Sequence, residues 1–368
     1  MTTYIDFHII QTVPPSLINR DDNGSAKTAM YGGVRRHRVS SQSWKRAARL
    51  AFNGDLPKAE AGIRTKRVID LVAQRIIEKR ADLAEMADGK AQAVLEAGGV
   101  KFDQPKKGEE GRNPDSKFLW FLSNVQIDSL ADIAINSADQ NVKPDKKSAK
   151  NALKQLNSYD LALFGRMVAD DKDLNVDASC QVAHAISTHA AAREYDYFTA
   201  VDDVKSADAS SDAGAGMIGT VEFTSSTLYR YATINLQALE TSLGDVDSAK
   251  RAVAAFAKAF ITSMPTGKQN TFANGTLPEA VYIAVRNDQP VSLVQAFEKP
   301  ITANETSGYS SRSIEALAKY EHELEKVYSK PKAAFTMAIG DKGEEFAALG
   351  ESVALADLEE RIIAVLSA

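Results

Sequence analysis

The sequence predicts an α+β fold in which a split β-α-β unit carries a long helical insertion and a hairpin excursion. Three observations predict it. Near the N-terminus Ile5, Phe7 and Ile9 alternate with Asp6 and His8, the period of a strand, and a helix-forming run follows at 44–52. From about Pro57 to His189 the pattern is mostly helical and polar. Strand character returns at 195–201, 218–223, 228–236 and 280–286, with an amphipathic helix at roughly 247–263 between the last two.

In chain order, the first strand covers 3–13, and Pro14-Pro15 is expected to end it. Residues 19–24 have loop composition, and Gly32-Gly33 is expected to act as a flexible hinge into a short basic strand, Val34 to Val39. Ser40-Ser41-Gln42-Ser43 is a helix N-cap signal. On the helix that follows, Trp44, Ala47, Ala48 and Ala51 make an apolar face, and Lys45 and Arg49 lie four apart on another. The segment 105–114 reads as an exposed loop, and helix is expected again over 146–169, where Leu161 to Phe164 leads to Gly165-Arg166-Met167. The small, polar stretch 203–217 has the character of a hairpin tip. In 228–236, Leu228, Arg230, Ala232, Ile234 and Leu236 share one face, and helices are expected at 312–328 and 354–367. The order of these elements is consistent with a modified ferredoxin-like core; no heptad array or solenoid repeat is present.

The chain is acidic overall, with a formal net charge of −5, yet residues 27–49 hold seven Lys or Arg and no Asp or Glu. Such a local excess of positive charge calls for a polyanion, and nucleic acid is the first candidate. The overall acidity argues against an indiscriminate coat on duplex DNA. A single cysteine, Cys180, excludes an internal disulfide framework and fits a reducing cytoplasm. The N-terminus lacks a secretory pattern, and no apolar run approaches the ~18 residues a bilayer requires, so a cytoplasmic protein with no membrane partner is expected.

No nucleophile elbow, zincin, Walker A or dinucleotide pattern occurs, and Gly267-Lys268 lacks the earlier glycine of a P-loop. Cys180 and His184, four apart on an expected helix, would start a metal site, but no second Cys/His pair completes it. Asp21-Asp22 and Asp202-Asp203 are candidate Mg²⁺ ligands for phosphodiester cleavage, although adjacent loop aspartates are more often turn formers. No metal and no cofactor is expected. Binding has more support: guanidinium groups clamp phosphate, and a helix N-terminus adds aligned amides. Ser40 to Ser43 with Lys45, Arg46 and Arg49 supplies both, against the plainer reading of a solvated basic surface. Lys268-Gln269-Asn270-Thr271 is a second polar cluster, and Arg166-Met167 reads either as a phosphate ligand beside an apolar wedge or as a surface arginine beside a core methionine.

Several strings now coincide with one family. IDFHIIQTVPPSLINRDD, GGVRRHRVSSQSWKRAAR, ALFGRM, AHAISTH, YFTAVDD, GTVEFTSSTLYRYATINL, PTGKQNTFA and PVSLVQAFEKPI closely resemble the CasC-type backbone subunit of Cascade, the type I-E CRISPR surveillance complex. The matches run in order from about residue 4 to residue 301; the region 100–118 and the C-terminal part match poorly. The resemblance implies a right-hand-like shape: an RNA-recognition-motif (ferredoxin-like) palm, a large helical fingers insertion and a β-hairpin thumb. The palm would comprise 1–57, 183–195 and 225–368 with the C-terminal helices, the fingers 58–182 and the thumb 196–224.

It further implies a non-catalytic protein whose copies, roughly half a dozen, line up head to tail along one CRISPR RNA and kink it for pairing with target DNA in an R-loop. The other partners implied are the remaining Cascade subunits and, indirectly, a recruited helicase-nuclease. Residue by residue, Asn19, Arg20 and Lys27 would contact the guide backbone beside Ser40, Gln42, Lys45, Arg46 and Arg49, within the basic block that also holds Arg35, Arg36 and Arg38. Arg166 and Met167 would sit by a displaced base, Phe198, Thr199 and Ile218 would wedge the RNA, and Lys268, Gln269, Asn270 and Thr271 would close the palm side. The alternatives are a metal-dependent ribonuclease of related fold and a general RNA-binding protein.

Overall fold

A computed structural model describes residues 2–57, 60–103, 111–200 and 217–368. In chain order its strands are β1 (Tyr4–Ser16), β2 (Thr28–Tyr31), β3 (Val34–Val39), β4 (Gly62–Thr65), β5 (Trp120–Ser123), β6 (Cys180–Val182), β7 (Ala185–Ser187), β8 (Glu194–Ala200), β9 (Met217–Asn235), β10 (Ala280–Arg286), β11 (Ala333–Ala338) and β12 (Glu351–Ser352). The principal helices are α1 (Ser41–Asp55), α2 (Val68–Lys79), α3 (Ala87–Ala97), α4 (Asn124–Asp139), α5 (Lys146–Lys154), α6 (Tyr159–Phe164), α7 (Leu236–Leu243), α8 (Val246–Thr262), α9 (Tyr309–Val327) and α10 (Leu358–Ser367). Among the described residues, no helix is long and apolar enough to cross a membrane.

One large sheet runs in the order β12-β11-β10-β1-β9-β7-β3-β2, and β6 and β8 also pair with β9. Its centre is β1, antiparallel to β10 on one side and to β9 on the other. Ile5, Phe7 and Ile9 face α1 and α8, where Trp44, Phe52, Val253, Phe256 and Phe260 complete the main core. The Phe7 and Phe256 rings meet edge-on at 5.3 Å, a favourable aromatic geometry.

The other face is not solvent, as the simple alternation of β1 suggests. Asp6 and His8 are as buried as their apolar neighbours, because α9 and the turn Leu293–Phe297 cover that side. Burial of polar groups demands partners. Asp6 accepts bonds from the Tyr231 hydroxyl (3.1 Å) and the Val291 amide (2.9 Å), and His8 Nδ1 lies 2.9 Å from the Tyr229 hydroxyl.

Two turn expectations are corrected. Pro14-Pro15 does not end β1; the strand continues to Ser16, and a register shift between Val13 and Ser16 absorbs the missing amides. Gly32-Gly33 is no hinge but the two-residue turn of the β2–β3 hairpin, with φ of +58° and +76°. At Gly32 a Cβ would stand 1.7 Å from the Glu298 carbonyl oxygen, so glycine is required twice over.

Helices α2 to α5 build a separate lobe around their own core, with Val72, Ile76, Leu95, Trp120, Leu122, Leu130 and Leu153 at its centre, whereas α6 packs on the main core through Tyr159, Ala162 and Leu163. The lobe carries an unforeseen two-stranded sheet, β4–β5. The expected helix over 146–169 divides into α5 and α6, and the chain beyond Gly165 is irregular. Cys180 falls in β6, so the imagined helical pairing with His184 does not exist. The expected helices at 312–328 and 354–367 correspond to α9 and α10. The outer half of β9 leaves the sheet to form a ribbon with β8, from Glu194–Phe223 to Ala200–Met217. Residues 203–216 of the expected hairpin tip, Asp202-Asp203 and most of the expected 105–114 loop lie outside the described residues.

Candidate nucleic-acid interface

The N-terminus of α1 is built by its neighbours. The Ser40 side chain caps the helix by accepting the Ser43 amide. Asn19 ties the preceding loop to this cap: its Oδ1 accepts the Ser40 amide (2.9 Å) and its Nδ2 donates to Ser43 Oγ (3.0 Å). The Ser41 amide donates to His184 Nδ1 at 3.0 Å. Burial lowers the His184 pKa, and the nearby Arg38 and Lys27 charges lower it further. Ser40 and Asn19 therefore act first as builders of the helix end.

From this cap the helix presents Gln42, Lys45, Arg46 and Arg49 to an open groove of about 870 Å³. The same groove is lined by Phe164 to Met167, by Asn175 to Ala178, and by Arg64, Leu119 and Phe121 of the helical lobe. Two motifs far apart in sequence, the basic helix and Arg166-Met167, thus meet in one place. Arg49 is half-buried, with its guanidinium 5.6 Å from the centroid of the Phe121 ring. Burial lowers its pKa; the buried Asp160 carboxylate behind it opposes that, while Arg64 and Arg46 add to it.

Two arginines in the expected phosphate-binding set are spent inside the protein. Arg36 is fully buried, and its guanidinium donates to the carbonyls of Tyr31, Ser187, Thr188, Phe297 and Glu298 at 2.7–3.3 Å. Burial lowers its pKa. Arg166 donates to the carbonyls of Leu174 (3.0 Å), Phe121 (3.0 Å) and Leu153 (2.7 Å), and burial lowers its pKa to about 10. Arg36 commits all five of its N–H donors in this way and Arg166 three of its five, so both hold chain segments together. Met167, by contrast, is 82% exposed beside the groove.

The remaining residues fall into three places. Lys27 and Arg38 share a small recess with Asn19; Arg38 Nε donates to the Thr28 carbonyl (3.3 Å), and exposed Arg35 donates to Thr28 Oγ1 (3.0 Å). Arg20 is exposed in the preceding loop. Lys268, Gln269, Asn270 and Thr271 are all exposed, and the segment just before them, Met264 to Gly267, lines a recess with Ser43, Arg46, Ala47 and Leu50 of α1. Phe198, Thr199 and Ile218 lie on the exposed β8–β9 ribbon, Thr199 directly opposite Ile218, and do not line the groove.

Asp21 is a turn former: its carboxylate accepts the amides of Asn23 (2.9 Å) and Ser25 (3.0 Å). Among the described residues, no group of three or more His, Cys, Asp or Glu is placed to hold a metal ion.

Residues 5–361 match the family described as CT1975-like protein, Cas_CT1975. The chain belongs to that family. Its structure is similar to a chain of a solved "CRISPR RNA-guided surveillance complex, pre-nicking", at 36% identity and a TM-score of 0.84, over 98% of this chain and 100% of that one. A chain of a second "CRISPR RNA-guided surveillance complex" is 32% identical with a TM-score of 0.75, over 98% of this chain and 99% of that one. No curated protein sequence matches. In this CT1975-like chain, sequence reasoning missed the groove-lining Arg64, Leu119 and Phe121, and it considered His184 only as a metal ligand rather than at the α1 cap. The three groove-lining residues were hidden in a region that reads as helical, where the short β4–β5 pair that sets Arg64 opposite Phe121 leaves no periodic signal.

Proposed function

We propose that this chain is a non-catalytic CRISPR-RNA-binding subunit of a Cascade complex, of the CasC type found in type I-E systems. The observation that carries the proposal is the end-to-end likeness to chains of two CRISPR RNA-guided surveillance complexes. The groove supplies the chemistry: Lys45, Arg46 and Arg49 offer cations to a phosphate backbone, and Met167 offers an apolar surface to a displaced base. In this reading the sheet with α1 and α8 is an RNA-recognition-motif-like palm, the α2–α5 lobe the fingers, and the β8–β9 ribbon the thumb.

The ribbon's exposed faces suit a role against a neighbouring copy, because two strands alone have little to stabilise them in water. Copies would join head to tail along the guide, a heterologous contact that propagates. Holding the guide in short ordered segments lowers the entropy cost of pairing with target DNA, while base pairing alone supplies sequence specificity. Nothing comparable favours a ribonuclease, since Asp21 is committed to its turn.

The test is co-expression with the companion subunits and a CRISPR array, followed by native mass measurement. A particle holding one guide RNA and several copies of this chain is expected. Binding to any RNA without fixed stoichiometry would refute the proposal and favour a general RNA-binding protein.

A further inference from the structure

Resting on that reading of the groove, we infer that Arg64 is a further phosphate ligand, supplied from the helical lobe, so that the RNA is held between the two lobes. Arg64 is exposed on β4, and among the described residues its side chain forms no hydrogen bond or ion pair. It is the cross-strand partner of Phe121, whose ring also lies beneath the Arg49 guanidinium. Cross-strand partners project on the same face. Arg64 and Arg49 therefore flank one aromatic ring, close enough that the Arg64 charge depresses the Arg49 pKa.

Like charges brought together from two lobes are unfavourable until an anion comes between them. The nearest acid behind Arg49, Asp160, is buried and already bonded to Ser158 Oγ (2.7 Å) and the Leu161 amide (3.0 Å). Asp177 also lines the groove but forms no ion pair with either arginine. A strand phosphate would relieve the repulsion and bridge α1 to β4. The neighbouring Arg67, paired with Asp70 on the same lobe, lacks this geometry and serves as a control.

The experiment measures binding of a single-stranded RNA to the full chain at several salt concentrations, for the parent, Arg64→Ala, Arg64→Lys, Arg67→Ala and Lys45→Ala. Arg64→Ala is expected to bind about fivefold more weakly, with the slope of log K against log salt smaller by about 0.7, the value for one phosphate contact on a single strand. Arg64→Lys should restore most of the slope, and Arg67→Ala should behave as the parent. An Arg64→Ala slope equal to the parent's, with the parent binding normally and Lys45→Ala weakened, overturns the role of Arg64 alone. A parent that binds no RNA overturns the function proposed above.

Discussion

Arg36 offers a sharp separation between a structural and a binding cation. Truncating it to alanine removes a guanidinium that five backbone carbonyls share, at Tyr31, Ser187, Thr188, Phe297 and Glu298. Those carbonyls come from the β2–β3 hairpin, the end of β7 with the residue after it, and the turn beneath α9, so the bonds join three pieces of chain far apart in sequence. A hydrogen bond to a charged group contributes roughly 1.5–3 kcal/mol, but bonds sharing one donor group are not additive and some carbonyls will rehydrate. A loss of about 3–5 kcal/mol is therefore expected, in the range of the largest single-site effects. Unfolding entropy scales at about 2.1 cal/mol/K per residue, close to 0.8 kcal/mol/K for 368 residues, so the midpoint should fall by about 4–6 °C. Thermal unfolding by circular dichroism without RNA measures it directly. On protein that remains folded, the salt slope of RNA binding should match the parent's. A variant that melts with the parent but loses a phosphate's worth of slope would refute this reasoning and return Arg36 to the binding set.

The opposite signature is expected for the α1 cations. Replacing Lys45, Arg46 and Arg49 together by alanine should reduce the salt slope by about 2, at roughly 0.7 per contact, across all RNA sequences alike; filter binding at graded salt measures it, and a sequence-dependent loss would contradict backbone gripping. At Gly267 a Cβ would lie 2.2 Å from the Ile18 carbonyl oxygen, so Gly267→Ala should displace the 268–271 segment and lower the melting temperature, whereas Gly275→Ala, with open space around it, should not. Acid should weaken the fold. Burial depresses His8 to about 3 and His37 to about 4, below the usual 6.5, so the stability they contribute is complete above pH 6.5 and is lost as pH falls towards those values. Asp6, raised to about 6 by burial, acts with opposite sign, and these three groups together cost of the order of 2–3 kcal/mol from pH 7 to pH 5. Urea titrations at the two pH values test it, and a protein more stable at pH 5 would show the assignment wrong.

Much of this arrangement is legible in the residues themselves. The Ser-rich cap, the apolar face of Trp44, Ala47 and Ala48, and the strand at 280–286 depend on local chemistry that short-range pattern records. What pattern misses depends on distant partners. In Val34–Val39 the alternation puts Arg35 and Arg36 on opposite faces, but only the carbonyls of residues 187–188 and 297–298 decide which one is buried. Arg166 looks like a surface cation because no acidic partner stands beside it in sequence, while two of its three carbonyl acceptors come from β5 and the end of α5. Asp6 and His8 mimic a solvent face because α9, which covers them, arrives some 300 residues later.

That covering helix bears on how a nucleic acid can be read at all. RNA-recognition motifs stack bases on aromatic residues of an open sheet face. On the proposed palm reading, the equivalent face of β9 and β10 carries Tyr229, Tyr231 and Tyr282, with His8 stacked among them at 6.2, 5.2 and 5.4 Å. Tyr229 and Tyr282 are buried, and α9 is fastened over them by Glu321, which accepts from the Tyr282 hydroxyl (2.9 Å) and pairs with Arg286 (2.5 Å), itself 3.5 Å from Asp6. Removing one partner of such a buried pair typically costs about 3–5 kcal/mol, so the cover does not lift to admit a base. On the proposed reading, base stacking is thereby kept off the sheet, and the α1 groove would offer cations to a backbone instead. For a subunit proposed to hold guides of any sequence, closing the sheet removes a source of base preference, and the cations outside it grip the one feature all guides share.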